Sequence, residues 1–275
     1  MSLNANASQP ANILLVEDND INQMLALEVL ARSGWSCDTA INGVEAITKI
    51  KAKRYDLILM DCQMPIMDGF TATKEIRQME SAGQLATVST IVAVTANALK
   101  GDRQRCLDAG MDDYLAKPFS PQQLTEIVAK WLAQIDGTIA VAENGRSQDD
   151  ASPKSLDPPI CEKEFMDRCM GDLAFAELLL NSFEKDSVAR FEQISSQIDQ
   201  GDTDGVGATA HSLKGIAGIL AARELQSIAL DIETAGNAGK TDQLVALVDV
   251  LRNELNRCLE FVPVLKQQNQ TAVPL

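Results

Sequence analysis

Five residues in the first half of the chain have types and positions that suit phosphoryl chemistry: Glu17, Asp18, Asp61, Thr95 and Lys117. Each stands at the end of a short apolar run. Glu17 and Asp18 follow Ile13–Val16, Asp61 follows Leu57–Met60, Thr95 closes the run at Ile91–Val94, and Lys117 follows a weaker run, Asp113–Ala116. Three carboxylates brought together repel one another unless a cation joins them. An all-oxygen set with few protein ligands suits Mg²⁺, which keeps several waters and accepts phosphate oxygens. Lys117 then offers a point charge, and Thr95 a hydrogen bond, to a phosphoryl group. A single acid at a strand end is most often a helix cap or a solvated loop residue, so the signal lies in the joint pattern.

The elements that must position these groups are legible in the same stretch. The runs are continuously apolar rather than alternating, which fits strands buried on both faces of a parallel sheet. Longer helical stretches separate them, and strand, helix, strand in repetition gives a doubly wound α/β fold. In such a sheet, residues just beyond the carboxyl ends of the strands converge on one crevice.

A second candidate is His211, the only histidine in the chain. With residues 204–220 placed on a helix, Val206, Ala210, Leu213, Ala217 and Leu220 form one apolar stripe. His211, Lys214, Gly215 and Gly218 form another. The histidine is thus predicted to face away from the strong apolar stripe, with an ammonium one turn off. Two glycines inside a helix cost about 1 kcal/mol each relative to alanine. They mark either a surface that something approaches closely or tight helix–helix packing.

No strand signal survives beyond Ile160. Helical stripes run through Leu178, Leu179, Phe183 and Phe191, then through Leu225, Ile228, Ala229 and Ile232. A long last one takes in Leu244, Leu247, Val248, Leu251, Leu255 and Leu259. Gly201, Gly236 and Gly239 are read as lying between helices. An antiparallel bundle follows, with a short extra helix near Glu162–Cys169. Between 135 and 159 Ser, Asp, Asn, Gly and Pro dominate, which reads as a linker joining two independently folding halves. The short apolar stretch Ile139–Ala142 within it is too small for a core.

Composition narrows the classes. The 275 residues suit two domains, or one large one. A formal charge of −15 argues against general nucleic-acid binding and against attraction to anionic lipid. The six cysteines form no CxxC pair and lie far in sequence from the histidine, so reduced thiols are the simpler reading. Met1 to Pro10 lack the basic and apolar segments of a signal peptide, and no apolar run approaches the roughly 20 residues of a membrane span.

The motifs Leu15-Val16-Glu17-Asp18-Asn19, Met60-Asp61-Cys62-Gln63-Met64-Pro65-Ile66-Met67-Asp68-Gly69, Val94-Thr95-Ala96 and Lys117-Pro118-Phe119 resemble those of bacterial receiver domains, especially those fused to hybrid sensor kinases. The resemblance covers about Asn12 to Gln134. It implies a flavodoxin-like, five-stranded parallel sheet and a phosphorylated aspartate at Asp61. It also implies Mg²⁺ bound by Asp18, Asp61 and the Gln63 carbonyl, with Glu17 acting through water. Lys117 would contact the acyl phosphate, and Thr95 and Tyr114 would act as a switch, although Tyr114 also reads as a half-buried strand aromatic. Ala210-His211-Ser212-Leu213-Lys214-Gly215 is similar to the phosphorylation motif of histidine phosphotransfer domains, which are four-helix bundles. That likeness covers about Cys161 to Val264. It implies a phosphohistidine at His211, phosphoryl contacts from Lys214 and room for a partner at Gly215.

The resulting expectation is a cytoplasmic two-component phosphorelay protein with no ATP-dependent kinase domain of its own. Its partners would be a sensor histidine kinase and a downstream response regulator or receiver, not nucleic acid or membrane. A binding-only module and a C-terminal fragment of a hybrid kinase are the alternatives. The expected boundaries are 1–10 as a flexible start, 11–134 as the receiver, 135–159 as the linker, 160–265 as the phosphotransfer bundle and 266–275 as a flexible end.

Overall fold

A computed structural model describes residues 11–85, 87–96, 100–135 and 158–271. The expected flexible start at 1–10 and nearly all of the expected linker, with Ile139–Ala142, lie outside the described residues. The chain divides into two compact units, residues 1–150 and 151–275.

In the first unit, five strands alternate with five helices: β1 Ile13–Val16, α1 Asp20–Arg32, β2 Cys37–Ala40, α2 Gly43–Ala52, β3 Leu57–Asp61, α3 Gly69–Ser81, β4 Thr90–Thr95, α4 Lys100–Asp108, β5 Asp113–Ala116 and α5 Pro121–Ile135. All pairings are parallel and the strand order is β2-β1-β3-β4-β5, the flavodoxin-like arrangement. β1, β3 and β4 are buried almost throughout, which is why they read as unbroken apolar runs. β2, with the sequence CDTA, is only half-buried, and that explains its faint sequence signal. Leu14, Val16, Ile58, Met60, Ile91 and Ala93 anchor one core cluster, with Ala46, Ala72 and Ile76 from the helices. The order reverses direction between β1 and β3, so the crevice at this switch point opens beyond their carboxyl ends.

The second unit is all helix: α6 Glu162–Arg168, α7 Leu173–Gln200, α8 Thr203–Ile219, α9 Arg223–Asn237 and α10 Thr241–Thr271. α7 to α10 pack in a ring of four, and the short α6 packs on α7. Polar residues set the ends. Asp172 caps α7 through the Phe175 amide, and Asp202 caps α8 through the Gly205 amide. Gly201, at φ +71°, closes α7 in the left-handed conformation that glycine tolerates best. Phe165, Phe183, Leu179, Leu213, Leu225, Ile232, Leu251 and Leu255 are buried.

Three expectations need correction. Gly236 lies inside α9 rather than between helices. Leu178 is 49% exposed, its place in the core taken by Leu179 and Leu180. The tail expected from 266 is helical through Thr271. Leu265 is buried and Lys266 bonds to Asn181 and Glu184 of α7. The polar QQNQ run hid this, because glutamine is a good helix former without carrying an apolar stripe. No helix among the described residues is long and apolar enough to cross a membrane.

Candidate functional site

The register builds the first site. Val16 pairs with Met60 across β1 and β3, so the next residues, Glu17 and Asp61, stand side by side. Asp61 is itself the last residue of β3 and Thr95 the last of β4. The Lys117 amide donates to the Thr95 carbonyl at 2.7 Å, which brings the end of β5 to the same edge. Carboxylate oxygens of Glu17, Asp18 and Asp61 all lie within 4.8 Å of one another. The Lys117 ammonium bridges Glu17 Oε2 at 2.5 Å and Asp61 Oδ2 at 2.7 Å.

Burial shapes the charge here. It pushes the Glu17 carboxyl up to about 8, against the pull of Lys117. Burial alone would draw Lys117 down, but Asp61 and Glu17 outweigh it and hold the ammonium above its ordinary range. One ammonium thus serves an acidic pocket that could take a further cation. The hard, all-oxygen donor set fits a divalent ion such as Mg²⁺. Asn22, on the first turn of α1, donates to Glu17 Oε1 at 2.6 Å, and Asn19 caps that helix.

The loop after β3 begins at Cys62, and its second residue bonds back to Asp61. The exposed Gln63 donates its amide to Asp61 Oδ1 at 3.1 Å. A Cβ on Gly69 would lie 2.1 Å from the Asp61 carbonyl oxygen, so only glycine lets α3 start this close to the strand. Between them, the Met67 amide donates to the Pro65 carbonyl at 2.8 Å and Ile66 adopts φ +71°. That γ-turn strains a β-branched residue by about 1–2 kcal/mol. Ile66 is also 84% exposed, so its side chain recovers little by burial. Ile66→Gly is therefore expected to stabilise this unit by about 0.5–1 kcal/mol, after allowing for the greater freedom of glycine in the unfolded chain. Urea unfolding of the two forms measures the difference; an unchanged or lowered midpoint would show that the turn is not strained.

Tyr114 is half-buried on β5 and packs against the core cluster, with the Arg103 guanidinium 5.9 Å from its ring centre.

The second unit holds the histidine on α8. This helix is buried on most of its surface, and one line of residues reaches solvent: Asp204 of the first turn, then Ala208, His211 and Gly215 beyond it. They are spaced i, i+4, i+7 and i+11, a single stripe in which the histidine is the only large side chain besides the terminal acid. The expectation that Lys214 and Gly218 share this open face is corrected: both are buried. Gly218 is buried, and Gly215 lies on the open stripe beside His211.

Glu233, on α9, ties the group together. Its Oε1 lies 2.8 Å from His211 Nδ1, and its Oε2 accepts from Lys214 Nζ at 2.5 Å. Burial alone would push the Glu233 carboxyl up, but the bonds from His211 and Lys214 hold it below its ordinary value. An ionised carboxylate only accepts, so Nδ1 must carry the proton. In the neutral ring that leaves a lone pair on Nε2.

Comparison with known proteins agrees with this division. The family model of the response regulator receiver domain matches residues 13–129, and that of the Hpt domain matches residues 178–260. The chain carries a receiver domain followed by an Hpt domain. It is homologous to the C-terminal receiver and Hpt part of hybrid histidine kinases. The aerobic respiration control sensor protein ArcB of Escherichia coli is 32% identical over 262 residues, covering 91% of this chain. The chain spans about a third of that relative's length, 31%. Hybrid signal transduction histidine kinase B of Dictyostelium discoideum is 45% identical over 128 residues, 44% of this chain and 6% of that protein. The solved receiver domain of a Pseudomonas aeruginosa sensor histidine kinase, with magnesium coordinated in its active site cleft, shares 44% identity. It covers 46% of this chain and 99% of its own, with a TM-score of 0.41.

Receiver and Hpt domains in one chain indicate a phosphorelay, and the acidic pocket fits a phosphoacceptor site. In the receiver domain the structure gathers Glu17, Asp18, Asp61 and Lys117 as the strand-end pattern requires. In the Hpt domain it adds a residue that sequence reasoning missed. Glu233 is one acid among 39 acidic residues and lies 22 positions from His211. Its place after Ile232 in the buried stripe of α9 is the only sequence signal that could have singled it out. Asn22 was missed for the same reason, as an amide one helical turn past the first motif.

Proposed function

We propose that Asp61 accepts a phosphoryl group, that His211 exchanges one with a receiver aspartate, and that the chain relays between a sensor histidine kinase and a downstream response regulator in the cytoplasm. One observation carries the reading: the chain's sole histidine reaches solvent on the Hpt domain with Nδ1 committed to Glu233, so that Nε2 is left as the nucleophile.

Asp18, Asp61 and the Gln63 carbonyl would hold Mg²⁺, with Glu17 acting through water. Bound there, the ion would supply positive charge to the phosphoryl oxygens. The remaining work falls to side chains. An Asp61 carboxylate oxygen attacks phosphorus in line, and the bond to the donor's leaving group breaks as the acyl phosphate forms. Lys117, already within hydrogen-bond reach of Asp61, is placed to meet the new charge, and Thr95 stands beside it at the end of β4. Thr95 and Tyr114 would report the modified state to the outer face of the sheet.

In the Hpt domain Nε2 attacks an acyl phosphate on a receiver, and the aspartate carboxylate leaves. Nε2 has no proton to lose, and the positive charge that develops on the ring is met by the Glu233 carboxylate. Lys214 acts mainly on Glu233 in this geometry, rather than as a free ammonium beside the phosphoryl group.

The test is labelling of the full chain with a small-molecule acyl phosphate, with and without a chelator. Base-labile label is expected on Asp61, and complete chelation should slow its appearance by on the order of 100-fold. Undiminished labelling after chelation would remove the metal from the reading, and label on another residue would remove Asp61.

A further inference from the structure

Two glycines of the Hpt domain, Gly207 and Gly236, have no part in the chemistry above. Both lie inside helices, where glycine is disfavoured, and neither has a positive φ that would demand it. Their reason is contact. A Cβ on Gly236 would lie 2.7 Å from the Gly207 backbone nitrogen and 2.8 Å from the Thr203 carbonyl oxygen. A Cβ on Gly207 would meet Asn237 Oδ1 at 2.4 Å. The backbones of α8 and α9 therefore touch at this point.

The contact lies one turn from the reactive group. Gly207 is four residues before His211, roughly 6 Å along α8, and Gly236 is three after Glu233, roughly 4.5 Å along α9. Glu233 has both oxygens committed, to His211 Nδ1 at 2.8 Å and to Lys214 Nζ at 2.5 Å. A two-point hold of this kind has little slack. If the helices part, the carboxylate cannot follow both partners, and the charge-assisted bond to Lys214 is the stronger one.

We infer that the Gly207–Gly236 crossing sets the spacing of α8 and α9 that keeps Glu233 on His211 Nδ1, which makes Gly236 a positioning residue for the Nε2 nucleophile. The inference rests on His211 being the phosphoryl acceptor. Ordinary contact begins near 3.4 Å, so a methyl group at 236 must push the helices apart by about 0.7 Å. A 2.8 Å bond one turn away then moves to or beyond the edge of the hydrogen-bonding range. Without its acceptor the ring proton redistributes between the two nitrogens, and the fraction carried on Nε2 cannot attack phosphorus.

The experiment uses the full chain labelled with nitrogen isotope in histidine. Its sole imidazole gives one pair of ring signals, so the tautomer is read without assignment. The unaltered chain should show Nδ1 protonated and Nε2 bare. In Gly236→Ala the proton should shift toward Nε2. Phosphoryl acceptance from a phosphorylated receiver should slow by roughly tenfold or more, as for other imidazoles held in the wrong tautomer. Half-saturation should not change, because the stripe of Ala208 and Gly215 is intact. Leu255→Ala, a cavity variant on α10, controls for lost stability and should leave the tautomer alone. Gly207→Val, which drives the helices apart from the other side, should repeat the shift if Gly236→Ala does not fold. A folded variant at either glycine with an unshifted tautomer and an unchanged rate overturns the inference. Failure of both to fold also overturns it, since the crossing would then be a requirement of the bundle and not a positioning device. If His211→Gln still accepts phosphoryl groups, the proposed function fails instead, and the tautomer measurement stands apart from that outcome.

Discussion

The chain carrying Asp61→Asn is expected to take up no base-labile phosphoryl label from an acyl phosphate donor, while remaining folded. Asparagine keeps the shape of the side chain but has no anionic oxygen to attack phosphorus. The fold should not suffer. Asp61 is buried at the end of β3 among like charges, and Lys117 retains Glu17 as a partner at 2.5 Å. Removing one carboxylate also lessens the repulsion that helps to raise Glu17. The unfolding free energy of the receiver domain in urea should therefore hold or rise, by up to about 1 kcal/mol. Two measurements decide the matter, label mapping and equilibrium unfolding. Base-labile label at full stoichiometry in the variant would transfer the acceptor role to another carboxylate, with Asp18 the nearest candidate. A collapse in stability would mean that Asp61 holds the strand edge together, and loss of labelling could then not be assigned to chemistry.

The receiver site was legible in the sequence because its groups sit at strand ends, and strand ends in a parallel sheet converge whatever the side chains are. The apolar runs located those ends to within a residue, and the sheet did the rest. β2 left little trace, since Cys37–Ala40 is half-buried and half polar, and nothing in its composition separates it from a loop. The Hpt site was legible only in part. The period of α8 placed His211 correctly, but it could not tell that α9 covers the neighbouring face. Lys214 was therefore read as an open ammonium, when it is buried against Glu233. The error has a physical source. A helical period separates the faces of one helix, and burial of a second face depends on how closely another helix approaches. Here the approach is set by Gly207 and Gly236, and the second of these looked like a helix end. A glycine on a buried face means close packing as readily as termination, and only the partner helix distinguishes the two.

His211→Gln should abolish acid-labile, base-stable label in the whole chain, because no other histidine is present to carry a phosphoramidate. The cost to the bundle should be small. The side chain is 14% exposed and bonds to Glu233, toward which a glutamine amide can also donate. About 1 kcal/mol covers the loss of a bond and some packing. Lys214→Ala should behave in the opposite way. Its side chain is 7% exposed, and it holds one oxygen of a carboxylate that is itself 9% exposed. Taking away the ammonium leaves an uncompensated charge between α8 and α9, and breaking a buried pair from one side costs about 3 kcal/mol or more. Removing that charge as well, in Lys214→Ala with Glu233→Gln, should restore part of the loss, and the non-additivity is the measure of the pair. Thermal unfolding of the four forms, with transfer rates taken well below their midpoints, separates stability from chemistry. If Lys214→Ala unfolds like the unaltered chain and only transfers more slowly, the ammonium is free to meet the phosphoryl group and its tie to Glu233 is incidental. If His211→Gln stays folded and still yields acid-labile, base-stable phosphate, histidine is not the carrier.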